Sequence, residues 1–279
     1  MAKNQHTLKK IYSFEGKGLH TGTFSHMKVM PAAAGTGIRF RRTDLPGSPE
    51  IEALAENVTT TTRSTTIACG EATAVTIEHI MSVLTGLGVD NAIIELDNQE
   101  VPILDGSARL YLEAFLPDGL EDQGVERKYI TLPYTLEVRD EKTGSWVRME
   151  PASAPSAQST VDFNSPVLGV QTADWDESVD YAREIGPCRT FCFYREIEPM
   201  LEKGLIKGGD LSNALVVTDT GYMGDPVLHH TDECGRHKML DLLGDMRLAG
   251  GYVNARITAF KPGHTINTKA AKALRALLK

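Results

Sequence analysis

Arg236-His237-Lys238-Met239-Leu240-Asp241-Leu242-Leu243-Gly244, which runs into a strand-like segment at 254–260, has a counterpart earlier in the chain: Glu78-His79-Ile80-Met81-Ser82-Val83-Leu84-Thr85-Gly86, which runs into 91–96. Each copy reads as a helix with histidine in its opening turns, then glycine, then a strand. Two copies of one α+β unit, packed face to face, bring the two helices and their histidines together. In the second copy His237, Asp241 and Asp245 fall at i, i+4 and i+8, so on a helix they fan over only about 80° of the circumference. Met239, Leu242, Leu243 and Met246 centre roughly 150° away from that face, which leaves one stripe for burial and another for chemistry. A solvated polar face is the plain alternative for the same HxxxD spacing.

The chain has 279 residues, and a prior of roughly 150 residues per domain suggests two. Residues 116–124 combine Pro117, Gly119 and Gly124 with acidic side chains and end an apolar helical run at 110–115. The predicted division is therefore 1–120, carrying His79, and 128–279, carrying His237 and Asp241. Short alternating runs predict strands over 24–29, 37–41, 129–138, 146–149, 159–163 and 214–217. A helical run over 195–203 precedes a glycine-containing loop over 204–213. The fold class expected is α+β, with helices between mixed or antiparallel sheets and the active site at the interface of the two units. A doubly wound nucleotide fold is not expected.

Hydrophobic residues make up 41% of the chain, enough apolar material for packed cores. A net charge of −8 argues against a surface built to neutralise a nucleic-acid backbone. Residues 1–14 contain no apolar h-region, and no uninterrupted apolar run approaches ~20 residues, so no stable membrane insertion is expected and a cytoplasmic location is. Cys69, Cys188, Cys192 and Cys234 are too few and too irregularly spaced for a disulfide framework. Cys188 and Cys192 read as buried thiols; as a chelating pair, their spacing matches no common zinc ribbon.

A catalytic zinc takes three protein ligands from His, Asp and Glu and keeps a fourth position open. His237 and Asp241 offer two ligands from one helix. His79, opening the equivalent helix, is the candidate third. Its neighbour Glu78 diverges from it by about 100° around the helix, so Glu78 is suited to general-base work instead of chelation. Capping and dipole chemistry at a helix start is the alternative reading of that Glu-His pair. His264, in the turn Lys261-Pro262-Gly263-His264 after 254–260, is free to donate a proton, with Asp245 available to hold its ring and favour the cation. A surface histidine is the alternative there. His6, His26, His229 and His230 have no partner spacing and receive no catalytic role. Gly16-Lys17-Gly18-Leu19-His20-Thr21-Gly22 lacks the order of a phosphate loop and reads as a tight turn exposing His20.

Taken jointly, GKGLHTG (16–22), TTRSTTI (61–67) and the blocks at 76–108, 188–217 and 229–267 run in an order that resembles the UDP-3-O-acyl-N-acetylglucosamine deacetylases, zinc enzymes that commit bacterial lipid A synthesis. The resemblance spans nearly the whole chain. It implies that His79, His237 and Asp241 hold one Zn2+, with Fe2+ the other ion such a site accepts. It also implies Glu78 as general base, His264 oriented by Asp245 as the cationic or general-acid histidine, and Thr190 as the hydroxyl that stabilises the oxyanion. Lys238 aligns with a substrate-anchoring lysine and Phe191 with a ring that packs on the sugar. His20 aligns with a histidine near the nucleotide, and Lys261 adds positive charge for the diphosphate. The block at 188–217 resembles an insert that forms a hydrophobic passage for the acyl chain, with Ile197, Gly209 and Val216 on its pattern. Asp210 departs from that pattern, which commonly has a small hydroxyl residue. The expected substrate is a UDP-linked acylated glucosamine, the expected reaction hydrolysis of its N-acetyl amide with release of acetate, and the expected state a monomer without nucleic acid. A related amidohydrolase with another substrate and a non-catalytic sugar-nucleotide binding module are the competing readings. Acyl length, the native metal, and whether residue 279 ends a longer bifunctional polypeptide stay open at this level.

Overall fold

The computed structural model describes residues 4–202 and 207–278. Strand Phe24–Pro31 buries Ser25, Met27 and Val29, every second residue, as the pleat requires of a half-buried strand. It pairs antiparallel with Tyr12–Lys17 on one side and with Ala92–Leu96 on the other. Ile38–Arg42 lies parallel to Ala92–Leu96, and Glu50–Glu52 forms the outer edge. The second unit repeats this plan. Leu136–Asp140 and Ser145–Pro151 pair as one hairpin, Ser156–Asp162 and Val170–Asp176 as another. Tyr252–Phe260 then enters between them, antiparallel to Ser145–Pro151 and parallel to Ser156–Asp162. In both sheets the strand that follows the histidine helix takes the central place, so the sequence repeat is a repeat of topology. A parallel neighbour cannot be reached through a tight turn, which is why a helix precedes each central strand.

Among the described residues the helices are α1 (Glu78–Leu87), α2 (Arg109–Phe115), α3 (Tyr181–Glu184), α4 (Tyr194–Glu202), α5 (Glu233–Met246) and α6 (His264–Ala276). α1 and α5 pack on each other, and α5 also packs on α6 and on the second sheet. Both are buried nearly all round, as helices between layers must be. Their approach depends on Gly244, where a Cβ would stand only 2.1 Å from the carbonyl oxygen of Glu78. Ile80, Leu84, Met239, Leu240 and Leu242 are sealed within one apolar cluster that runs through both units. Full burial of such a side chain stabilises by about 1.5–3 kcal/mol. The fold is α+β, with mixed sheets and the paired helices between them. No helix among the described residues is long and apolar enough to cross a membrane.

Three local expectations are corrected. Residues 129–138 are two strands, Tyr129–Thr131 and Leu136–Asp140, on either side of Pro133, which cannot donate into a ladder. Residues 120–124, read as part of a turn-forming stretch over 116–124, belong to the strand Leu120–Glu126 on Asn4–Leu8. His264 opens α6 and is not on a loop; Ile266, Ala270 and Leu274 recur at helical spacing and are buried. Of the loop expected at 204–213, residues 204–206 lie outside the described residues, as does residue 203 of the preceding helical run.

Candidate active site

The packing of α1 on α5 sets the imidazoles of His79 and His237 5.0 Å apart, ring centre to ring centre, and nearly perpendicular at 87°. Nε2 of His79 lies 3.9 Å from Oδ1 of Asp241, and Nε2 of His237 lies 3.4 Å from the same oxygen. One ligand atom from each of the three residues lies within 4.8 Å of the others. All three residues are buried, at 5%, 1% and 2% exposure. The two Asp241 oxygens differ. Oδ2 accepts from Lys238 Nζ at 2.7 Å, whereas Oδ1 is buried without a hydrogen-bond partner. A buried carboxylate oxygen left without a donor is costly unless a cation satisfies it. Two imidazoles converging on such an oxygen form the donor set of a divalent metal site.

Protonation agrees with that fit. Nδ1 of His237 donates to the carbonyl of Cys188 at 2.9 Å. A carbonyl only accepts, so the proton sits on Nδ1 and Nε2 keeps its lone pair. Burial pushes both histidines down, and the neighbouring His237 helps take His79 to about 3. Both therefore stay neutral at neutral pH. Burial raises the Asp241 carboxyl, but the Lys238 ammonium and the imidazoles outweigh it and hold it far below the usual carboxylate range.

Glu78 precedes His79 on α1 and leaves the helix in another direction. Its Oε2 accepts from the backbone N–H of Thr65 at 3.0 Å, and its Oε1 lies 3.6 Å from Nε2 of His264. Nδ1 of His264 donates to Oδ2 of Asp245 at 2.9 Å. Burial lifts Glu78 to about 7, with His264 opposing and the carboxylates of Asp245 and Asp241 adding to the rise. Burial lowers His264, yet Asp245 and Glu78 outweigh it and raise the imidazole to about 9. The site thus holds a weakened acid beside a strengthened base, the separation of protonation states that acid–base chemistry uses.

Glu78, His79, His237, Lys238, Asp241 and His264 share the wall of an open cleft of about 410 Å³ with Thr190, Phe191 and Arg63. Thr190 is held by its backbone, its N–H on Gly106 at 2.7 Å and its carbonyl on the N–H of Leu215 at 2.8 Å. Phe191 begins strand Phe191–Phe193, which pairs parallel with Leu215–Val217, and the Lys238 ammonium stands 5.3 Å from the centre of its ring. A second, largely apolar cavity of about 230 Å³ shares Arg63, Thr190 and Phe191 with the cleft. It is lined by Ile197, Gly209 and Val216, with His20 and Asp210 also on its wall. Asp210 is exposed, and its carboxylate accepts from the N–H of Ser212 at 2.7 Å.

Of the site residues expected from sequence, Lys261 and Asp245 line neither cavity; the Lys261 ammonium lies 3.9 Å from Asp162. Asp245 stands behind His264. His6, His26, His229 and His230 are absent from the cleft wall. The glycine-rich turn at 16–22 wraps a buried carboxylate: the N–H groups of His20 and Thr21 donate to Glu100 at 2.9 and 2.8 Å. These donors are spent on the chain's own carboxylate, which occupies the place a phosphate would take in a cradle. Cys188 and Cys192 are free thiols, and Cys188 serves the metal group only through its carbonyl.

Two residues in the site went unread. Thr65 donates its hydroxyl to Oδ1 of Asp245 at 2.6 Å, and Asn267 donates to Oδ2 of the same residue at 3.0 Å. Asn267 follows His264 by three positions, so a helix recognised from residue 264 places both on one face. Thr65 is one of six threonines between 59 and 66, and nothing local singles it out.

Over residues 5–276 the chain matches the family model for UDP-3-O-acyl N-acetylglycosamine deacetylase, LpxC. It is 39% identical to the bifunctional enzyme LpxC/FabZ of Porphyromonas gingivalis, over 99% of this chain and 65% of that protein. It is 38% identical to the UDP-3-O-acyl-N-acetylglucosamine deacetylase of Trichormus variabilis, over 98% of this chain and 99% of that one. Against the enzyme of the same description from Xanthomonas oryzae pv. oryzae, identity is 40% over 98% of this chain and 90% of the relative. The chain spans 65% and 64% of the length of two bifunctional relatives, and nearly all of the relative from Trichormus variabilis. With a match of that extent, and a buried His-His-Asp group where the motifs led, the chain belongs to the UDP-3-O-acyl N-acetylglycosamine deacetylase family.

Proposed function

We propose that the chain hydrolyses the N-acetyl amide of a UDP-3-O-(3-hydroxyacyl)-N-acetylglucosamine, releasing acetate in lipid A biosynthesis. The observation that carries this reading is a buried His79–His237–Asp241 donor set beside the Glu78–His264 pair, in one cleft that adjoins an apolar passage. A divalent ion on that donor set, Zn2+ in this proposal with Fe2+ the other ion it accepts, supplies Lewis acidity that polarises a carbonyl oxygen and acidifies water. Glu78, ionised above about 7, takes the proton of the attacking water. Thr190 turns its hydroxyl to the oxygen on which charge develops. His264, kept cationic by Asp245, gives a proton to the departing amine. Lys238 anchors the substrate while holding the outer oxygen of Asp241, and Phe191 packs on the sugar. Ile197, Gly209 and Val216 line the route of the acyl chain, with His20 towards the nucleotide. The same proposal divides the chain at 1–120 and 128–279, with the metal gripped by both parts of one monomer.

The test is acetate release from the UDP-linked acylated sugar, followed with metal content. Glu78→Gln is expected to lower kcat by about 10²–10⁴ and to leave one metal per chain. Full turnover by Glu78→Gln, or by metal-free protein, contradicts the reading.

A further inference from the structure

A cavity of about 270 Å³ shares no residue with the cleft or the passage and lies at the seam of the two units. Its wall includes Gly37, Asp90 and Asn91 from the first unit and Lys128, Arg247 and Tyr252 from the second. Arg247 directly follows α5 and is 6% exposed. Its Nη2 donates to the carbonyls of Val89 and Asp90 at 3.2 and 3.3 Å, and the guanidinium carbon stands 4.2 Å from the centre of the Tyr252 ring. Its Nη1 is buried with no hydrogen-bond partner, and among the described residues Arg247 makes no ion pair with a carboxylate. Arginine does not shed its proton in a protein, so the buried charge persists. The two carboxylates on the wall are already committed. Arg127 grips Asp90 at 2.8 and 2.6 Å, and Arg39 holds Glu52 at 2.6 Å. Lys128 is exposed and adds a second positive charge.

We propose that this seam cavity is a binding site for a small oxyanion, a phosphate or a carboxylate, with Arg247 as its principal donor and Lys128 as the outer cation. The chemistry follows from geometry: a planar fork with a spare N–H beside a compact cavity, carrying positive charge that the chain does not neutralise. The ligand touches residues of both units, so binding straps them together without entering the cleft.

Thermal unfolding of the metal-loaded protein tests this, with sodium chloride replaced stepwise by sodium phosphate, or in a second arm by acetate, at constant ionic strength. A saturable rise in Tm of roughly 2–4 °C is expected in at least one arm, and the arm that responds names the oxyanion. Arg247→Met is expected to abolish the rise, and Lys128→Gln to shift its midpoint several-fold higher. No rise over chloride in either arm, or an undiminished rise in Arg247→Met, overturns the site. If Arg247→Met does not fold, the exposed Lys128→Gln still decides, because an unchanged midpoint overturns it. The readout is independent of deacetylation.

Discussion

Thr65 ties together two carboxylates, its N–H on Glu78 and its hydroxyl on Asp245. Thr65→Val keeps the shape and the N–H but strips Asp245 of its hydroxyl donor, an unmade buried bond that costs about 1–3 kcal/mol. Stopped-flow or steady-state kinetics should show kcat down roughly tenfold with KM little changed, and Thr65→Ser should recover it; an equal loss in the serine variant means that packing, not the hydrogen bond, is responsible. Protonation makes a second prediction, for metal-stripped protein. Glu78 is raised from 4.5 to about 7 and His264 from 6.5 to about 9, whereas His79 and His237 are lowered from 6.5, so these four groups hold more protons in the folded chain than in the unfolded one only above about 6.5. The His264 contribution is fully present below 6.5 and disappears as pH rises through about 9. Stability from urea titrations should therefore fall between about pH 7 and 9, and His264→Gln should flatten that fall. A rising curve over this range refutes the raised imidazole of His264.

At the scale of elements, the decisive contact is the glycine of α5 against the backbone of α1. Gly244→Ala puts a methyl group 2.1 Å from the carbonyl oxygen of Glu78, and backbone cannot swing aside as a side chain does. Overpacking of this kind costs about 1–3 kcal/mol; denaturant titration should register it, and metal affinity should fall with it because His79 and His237 are forced apart. The helix pair was legible because apolar residues and histidines repeat at helical spacing in both copies. The rest was less so for identifiable reasons. α6 begins after Gly263, which offers no capping side chain, so its start carries no local mark. Strands as short as Glu50–Glu52 and Val58–Thr60 contain too few residues to display alternation. The role of Thr65 arises only when a loop meets two helices, and spacing along the chain does not encode that meeting.

For the whole molecule, the His-His-Asp group draws one residue from the first unit and two from the second, so a bound ion links the halves that its own site requires. Chelation should lower Tm by several degrees, and readdition of Zn2+ should restore it; at a free-metal concentration 1,000-fold above Kd the linkage amounts to about 4.1 kcal/mol. His79→Ala should make Tm insensitive to metal, and a variant that keeps the full metal-dependent shift argues that the ion sits elsewhere. The parallel ladder between Phe191–Phe193 and Leu215–Val217 has a different kind of consequence. A detour fastened at both of its ends behaves as a cassette: its interior is free to lengthen, shorten or change chemistry while Thr190, just outside the fastening, keeps its post. Under the function proposed above, selection for a new acyl chain would have a replaceable gauge to act upon, separate from the residues proposed to cleave the amide.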